Sequence, residues 1–130
     1  MKIDHIGYAV RNMGFAISVF ELLGYTFQET KIDDARKVKV KIGTLDATRI
    51  ELLSPIGGEK SPIDNYLEKL GCTPYHICYE VENMAAGIQE LTDKEFTLVN
   101  APAPSEPLGG VVAFLYSIEI GLIELIEYHN

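Results

Sequence analysis

The chain carries one short segment twice, 71 residues apart, and this duplication narrows the possible folds more than any other feature. His5-Ile6-Gly7-Tyr8-Ala9-Val10-Arg11-Asn12-Met13 aligns with His76-Ile77-Cys78-Tyr79-Glu80-Val81-Glu82-Asn83-Met84, and six of the nine positions are identical. The match continues as apolar character, with Ala16 over Gly87, Ile17 over Ile88, Phe20 over Leu91 and Tyr25 over Phe96. Each copy ends in Ile-Glu-Leu, at residues 50–52 and 123–125. One His therefore opens each half and one Glu closes it, 46 residues apart in the first half and 48 in the second. A repeat of this length predicts two structurally equivalent modules. The duplicated His…Glu pair predicts two imidazoles and two carboxylates around one point, which is a metal site.

Both modules read alike. Residues 3–10 alternate and are rich in β-branched and aromatic side chains, which predicts a strand. Asn12 is placed to cap the helix that follows, with Met13, Ala16, Ile17, Phe20 and Leu23 at helical spacing and Gly24 as its stop. Another strand begins over 25–29, residues 37–42 alternate strictly, and 47–53 form the last strand of the half, with Asp46 in the turn before it. In the second half a strand over 75–81 precedes a helix capped by Asn83, and strands follow at 96–99, 110–117 and 120–127. A connector over 55–73 separates module 1 (about 1–54) from module 2 (about 74–130), with Ser61 and Pro62 as cap and first position of a short helix to Leu70. The stretch 100–108, rich in Pro and Ala, reads as a long loop and a substrate lid. Gly109-Gly110 reads as a turn and not as a phosphate cradle.

Alternation along a strand decides which side chains share a face. His5 shares its face with Gly7 and Ala9, and His76 with Cys78 and Glu80, while Ile6, Tyr8, Ile77 and Tyr79 turn toward a helix. Small neighbours beside each His leave room for a ligand. Glu51 and Glu124 stand in very apolar strands, where a carboxylate is costly unless exposed, paired or metal-bound. Two neutral imidazoles and two carboxylates form an N2O2 set of charge −2 suited to one divalent cation, with room for water in an octahedral site. Ni and Co lead the candidates, and Zn and Mn also fit, since donor type does not separate them. The ordinary reading of a lone strand His, a satisfied or exposed side chain, loses ground when the pair recurs at matched positions. His129 reads as frayed and exposed. Tyr75, Tyr116 and Cys78 are explained as well by packing as by a pocket.

Composition excludes several partners. A net charge of −8 with only 11 Lys and Arg disfavours nucleic acid, which wants a basic stripe. No apolar run approaches the roughly 20 residues of a membrane span, and the N-terminus lacks a signal-peptide pattern, so a cytoplasmic location is expected. Cys72 and Cys78 are expected as thiols rather than a disulfide. Sheet edges that need covering predict a homodimer.

The motifs His5-Ile-Gly-Tyr-Ala-Val, Arg49-Ile-Glu51-Leu-Leu-Ser-Pro, Pro74-Tyr-His76-Ile-Cys-Tyr-Glu-Val and Gly121-Leu-Ile-Glu124-Leu-Ile-Glu resemble the vicinal oxygen chelate superfamily, and most of all short glyoxalase I-type proteins. The resemblance covers essentially the whole chain, 1–130, as a single domain. It implies an α+β fold of two βαβββ modules forming a curved mixed-sheet cleft, with His5, Glu51, His76 and Glu124 as ligands of one divalent metal. It further implies a lactoylglutathione lyase-like enzyme that isomerises the hemithioacetal of methylglyoxal and a thiol through an enediolate, with Glu124 as first-choice base and Glu51 opposite it. Two departures bear on the thiol: Ala9 stands near where glutathione-using relatives carry Arg, with Arg11 in another register, and Ser117-Ile-Glu-Ile-Gly121 replaces their usual turn. An alternative is a methylmalonyl-CoA epimerase-like enzyme acting on an acyl-CoA. Epimerisation wants two bases, and family epimerases carry an extra Glu on the strand that here shows Lys39 and Lys41, residues that instead suit a solvated face or steer an anionic substrate. A third reading is a metal-free drug- or metabolite-binding protein, which would not need four ligand residues.

Overall fold

The computed structural model describes residues 1–57 and 60–129, and among these the chain forms nine strands and three helices in a mixed α+β arrangement. It divides into two compact units, one of His5–Tyr75 and one joining Met1–Asp4 to the chain from His76 onward. No described helix is long and apolar enough to cross a membrane.

In the unit His5–Tyr75, strand β1 (Lys2–Ala9, from His5 on) leads into α1 (Met13–Leu22), β2 (Thr26–Phe27), β3 (Lys31–Asp33), β4 (Val38–Leu45), β5 (Thr48–Pro55) and α2 (Asp64–Leu70). The strand order is β2-β4-β5-β1, with β3 also on β4. β1 runs parallel to β5, and β4 antiparallel to it. Asn12 caps α1 as its position predicts, its Oδ1 accepting from the Phe15 amide at 2.9 Å. Val10, Ile50 and Leu52 form the buried core on the helix side, with Tyr8, Ile17, Phe20 and Phe27 packed on it. Phe20 meets Tyr8 and Tyr25 edge-on, each at 5.3 Å between centroids. Gly43 is required here, since a Cβ would fall 2.5 Å from the Phe27 ring.

The second unit contains β6 (Thr73–Glu80, from His76 on), α3 (Met84–Thr92), β7 (Thr97–Ser105), β8 (Gly110–Ser117) and β9 (Gly121–Tyr128), in the order β6-β9-β8-β7. β6 is parallel to β9 and the remaining pairs are antiparallel. Asn83 repeats the cap of Asn12, accepting from Ala86 N at 2.8 Å. Its core of Val81, Met84, Ala113, Leu115, Ile123 and Leu125 lies between the helix and the strands.

Three local expectations need correction. Residues 100–108 are not an irregular lid: β7 continues to Ser105 and pairs with β8 through register shifts between Leu98 and Asn100 and between Asn100 and Ala103. Its prolines, 102 and 104, are tolerated because β7 ends the strand order, and an edge strand loses no ladder bond to a missing N–H. Residues 31–33 pair with β4 as a strand that composition did not suggest. The short helix begins at Asp64 instead of Pro62, because Ser61 binds the Asp64 carboxylate through its amide at 2.7 Å and its hydroxyl at 3.1 Å.

Candidate functional site

In the first unit, register places the candidate residues on one face. Gly7 stands opposite Glu51 and Ala9 opposite Leu53 across β1 and β5, and Ile42 stands opposite Glu51 across β4 and β5. His5, Gly7, Ala9, Glu51, Leu53, Val40 and Ile42 therefore share the face turned away from α1. His5 is fully buried and Glu51 is 5% exposed. Their approach is 3.4 Å, His5 Nε2 to Glu51 Oε1. Valines at 38 and 40 and the isoleucine at 42 are buried beside them.

The second unit repeats the construction. Cys78 stands opposite Glu124 across β6 and β9, and Phe114 opposite Glu124 across β8 and β9. His76 Nε2 lies 3.1 Å from Glu124 Oε1, and both residues are buried. The Phe114 ring meets the His76 imidazole edge-on at 5.3 Å and 87°, which fixes the ring plane. Cys78 is buried, forms no disulfide and packs with Val112 and Ile126.

These distances test the donor sets against a cation. Metal–nitrogen and metal–oxygen bonds of about 2.1 Å separate adjacent ligands by about 3.0 Å in an octahedron and about 3.4 Å in a tetrahedron. Both His–Glu separations fall in that range. The 3.4 Å contact of His5 is longer than the roughly 2.7–2.9 Å of a charge-assisted N–H···O bond. Two buried carboxylates each cost several kcal/mol without a compensating positive charge. Each pair fits half of a divalent-cation site.

Other residues singled out in the sequence fall elsewhere. Lys39 and Lys41 alternate with Val38, Val40 and Ile42, so they occupy the face opposite Glu51; Lys41 Nζ reaches Thr30 Oγ1 at 3.3 Å. Arg11 donates to the Leu67 carbonyl, and its amide bonds Cys72 Sγ at 3.4 Å. Tyr75 packs against Tyr66, the ring centroids 5.0 Å apart and the planes tilted by 42°. Glu80 pairs with Lys2 at 3.6 Å. Tyr116 and His129 are exposed. Sequence reasoning gave Phe114 no role. Its register opposite Glu124 was the available signal, since β8 and β9 are joined by a tight turn.

Comparison with known proteins bears on the chemistry. The family model for the Glyoxalase/Bleomycin resistance protein/Dioxygenase superfamily matches residues 4–114. The chain is 30% identical over 129 residues to the uncharacterized protein YqjC of Bacillus subtilis (strain 168), covering 97% of this chain and 91% of that protein. It is also 30% identical over 128 residues to the mitochondrial methylmalonyl-CoA epimerase of Mus musculus, covering 95% and 71%. The crystal structure of the hypothetical protein BH1468 from Bacillus halodurans C-125 superposes with a TM-score of 0.89 at 29% identity, over 99% of this chain and 95% of that one. Relatives from Bos taurus, Homo sapiens, Dictyostelium discoideum and Cereibacter sphaeroides carry epimerase names as well. The expectation of a glyoxalase I-type lyase forming an S-lactoyl thioester is therefore overturned in favour of the epimerase alternative. The physical reason is that a His/Glu donor set reports a possible cation site but neither the reaction nor the substrate brought to it.

Proposed function

The chain belongs to the glyoxalase/bleomycin resistance/dioxygenase superfamily, and from that premise we propose that it is a metal-dependent epimerase of a methylmalonyl-CoA-type thioester. One observation carries the reading: each unit holds a buried His–carboxylate pair at ligand–ligand distance, at matching positions of a repeat. The named epimerase relatives supply the substrate class. His5, Glu51, His76 and Glu124 together would hold one divalent cation. Such a cation supplies stabilisation of the negative charge that develops on the thioester oxygen as the α-proton leaves.

The residues of the chain do the rest. Inversion requires a proton acceptor on one face of the α-carbon and a donor on the other. In this reading the Glu124 carboxylate accepts the α-proton, and the carboxyl of Glu51 returns one to the opposite face. Each turnover leaves Glu124 protonated and Glu51 ionised, and proton exchange with solvent restores the starting state; in the reverse direction the two roles exchange. The face of β4 beside Glu51 offers Val38, Val40 and Ile42, all buried and none a base, which leaves the second carboxylate ligand for that part. Apolar side chains flank each carboxylate within its own unit, Val40 and Ile42 on the Glu51 face and Phe114 opposite Glu124, and such surroundings keep water from a developing enolate. Homodimerisation, expected from the sheet edges, belongs to the same proposal.

The test is to strip the protein with a chelator and reload it separately with single divalent cations. Bound metal is counted by elemental analysis, and loss of the α-proton of methylmalonyl-CoA is followed in D2O by NMR. One ion per chain and metal-restored exchange are expected. Two ions per chain would mean that each pair binds alone, and no exchange with any loaded cation would remove the epimerase reading.

A further inference from the structure

β5 carries a guanidinium on the same face as Glu51, two residues earlier. Arg49 stands opposite Thr44 on β4, and Thr44 stands opposite Thr26 on β2. The two hydroxyls meet at 3.3 Å. On the other side of β5, Ile6 and Ile50 are register partners, so the residues that precede them, His5 and Arg49, occupy the next rung of the same face. A polar row of Thr26, Thr44 and Arg49 thus runs into His5, directly beside the apolar row of Ile42 that holds Glu51. Arg49 and Thr44 are half-buried and Thr26 is exposed, so the row opens to solvent while His5 and Glu51 are buried.

We propose that Arg49, assisted by Thr44, binds the free carboxylate of the substrate and thereby selects malonyl-type thioesters over simple acyl thioesters. The inference rests on the epimerase reading for its substrate class. A guanidinium presents five N–H donors in a planar fork that matches a carboxylate, so one contact within the protein does not exhaust it. The carboxylate keeps lone pairs for a neighbouring cation. The chain has a net charge of −8, and a cation on the same face as the buried Glu51 carboxylate is what an anionic substrate needs to approach it. Arg49 acts here as a specificity-determining residue and takes no proton.

The experiment compares binding of malonyl-CoA and propionyl-CoA, which differ by that carboxylate, to metal-loaded protein by calorimetry. The proteins compared are the unaltered chain, Arg49→Gln, Arg49→Lys and Thr44→Val. Loss of a charge-assisted bidentate contact should weaken malonyl-CoA roughly 10- to 100-fold in Arg49→Gln, with partial recovery in Arg49→Lys. Thr44→Val should show a smaller loss of the same kind, and it keeps the question answerable if Arg49→Gln does not fold. Propionyl-CoA affinity and metal content should not change. Equal weakening of both ligands, or no change in either, overturns the proposal, as does an unaltered chain that binds both alike. α-Proton exchange by the unaltered chain is read separately, so an Arg49-dependent preference without exchange would retire the epimerase chemistry and leave the carboxylate subsite standing.

Discussion

The two halves share a scheme but brace their His–Glu pairs differently. In the first, His5 lies among Gly7, Ala9 and an aliphatic strand face, and its approach to Glu51 is 3.4 Å. In the second, the Phe114 ring is set against His76, and the approach to Glu124 is 3.1 Å. The helices differ as well. α1 buries none of its residues completely and leaves Phe15, Val19 and Leu22 exposed, whereas α3 buries Met84 and Gly87. The repeat has kept the His–Glu pairs and caps while letting the packing around them diverge. Chemistry constrains the donor atoms at ångström precision, but many apolar sets fill the same volume.

The largest effects should separate the two carboxylates. Glu124→Gln should lower α-proton exchange about 1,000-fold or more, within the usual range for removal of a positioned base. Glu51→Gln keeps an oxygen donor for a metal. It should leave much of the solvent exchange of one enantiomer intact while slowing inversion about 100-fold, as read by chiral analysis alongside NMR. Equal losses in both assays for both variants would erase the distinction between the halves.

A smaller contrast concerns close packing. Gly43→Ala would drive a Cβ into the Phe27 ring and should cost about 1–3 kcal/mol in urea denaturation. Gly87→Ala meets Val81 and Leu125 at 3.2 and 3.3 Å. It also gains about 1 kcal/mol of helix propensity, so its net effect should lie near zero. The smallest expected difference is between the caps. Asn12→Ala and Asn83→Ala should each cost about 1 kcal/mol, because both side chains make the same bond. Unequal losses would show that one helix depends on its cap more than the other.

Much of this organisation is readable from the residues alone. The repeat places both helices, both caps and both His–Glu pairs, because hydrophobic period, cap chemistry and ligand type are local properties. β3 and the second part of β7 are not readable in that way. Lys31-Ile32-Asp33 is too short for a period, and Pro102 and Pro104 carry a loop signature that is cancelled by β7 ending the strand order. The choice of reaction failed for a related reason. The pairing of β4 with β5 puts Val40 and Ile42, and not Lys39 or Lys41, beside Glu51, so the inner face of that strand carries no base. The type of donor residue is legible in the sequence, but the substrate brought to it is not. Arg49 was quoted within a motif and given no task, although its parity with Glu51 was available.

Tyr128 donates to the Asp4 carboxylate at 2.5 Å, and Lys2 pairs with Glu80. The first four residues thus complete the unit that begins at His76. Asp4 and Tyr128 stand 124 positions apart, so their contact cannot form until the whole span between them has been made. Closure of so long a loop slows formation of the unit that contains Glu124. Substitutions at Lys2 or Asp4 therefore perturb a half of the chain far from them in sequence.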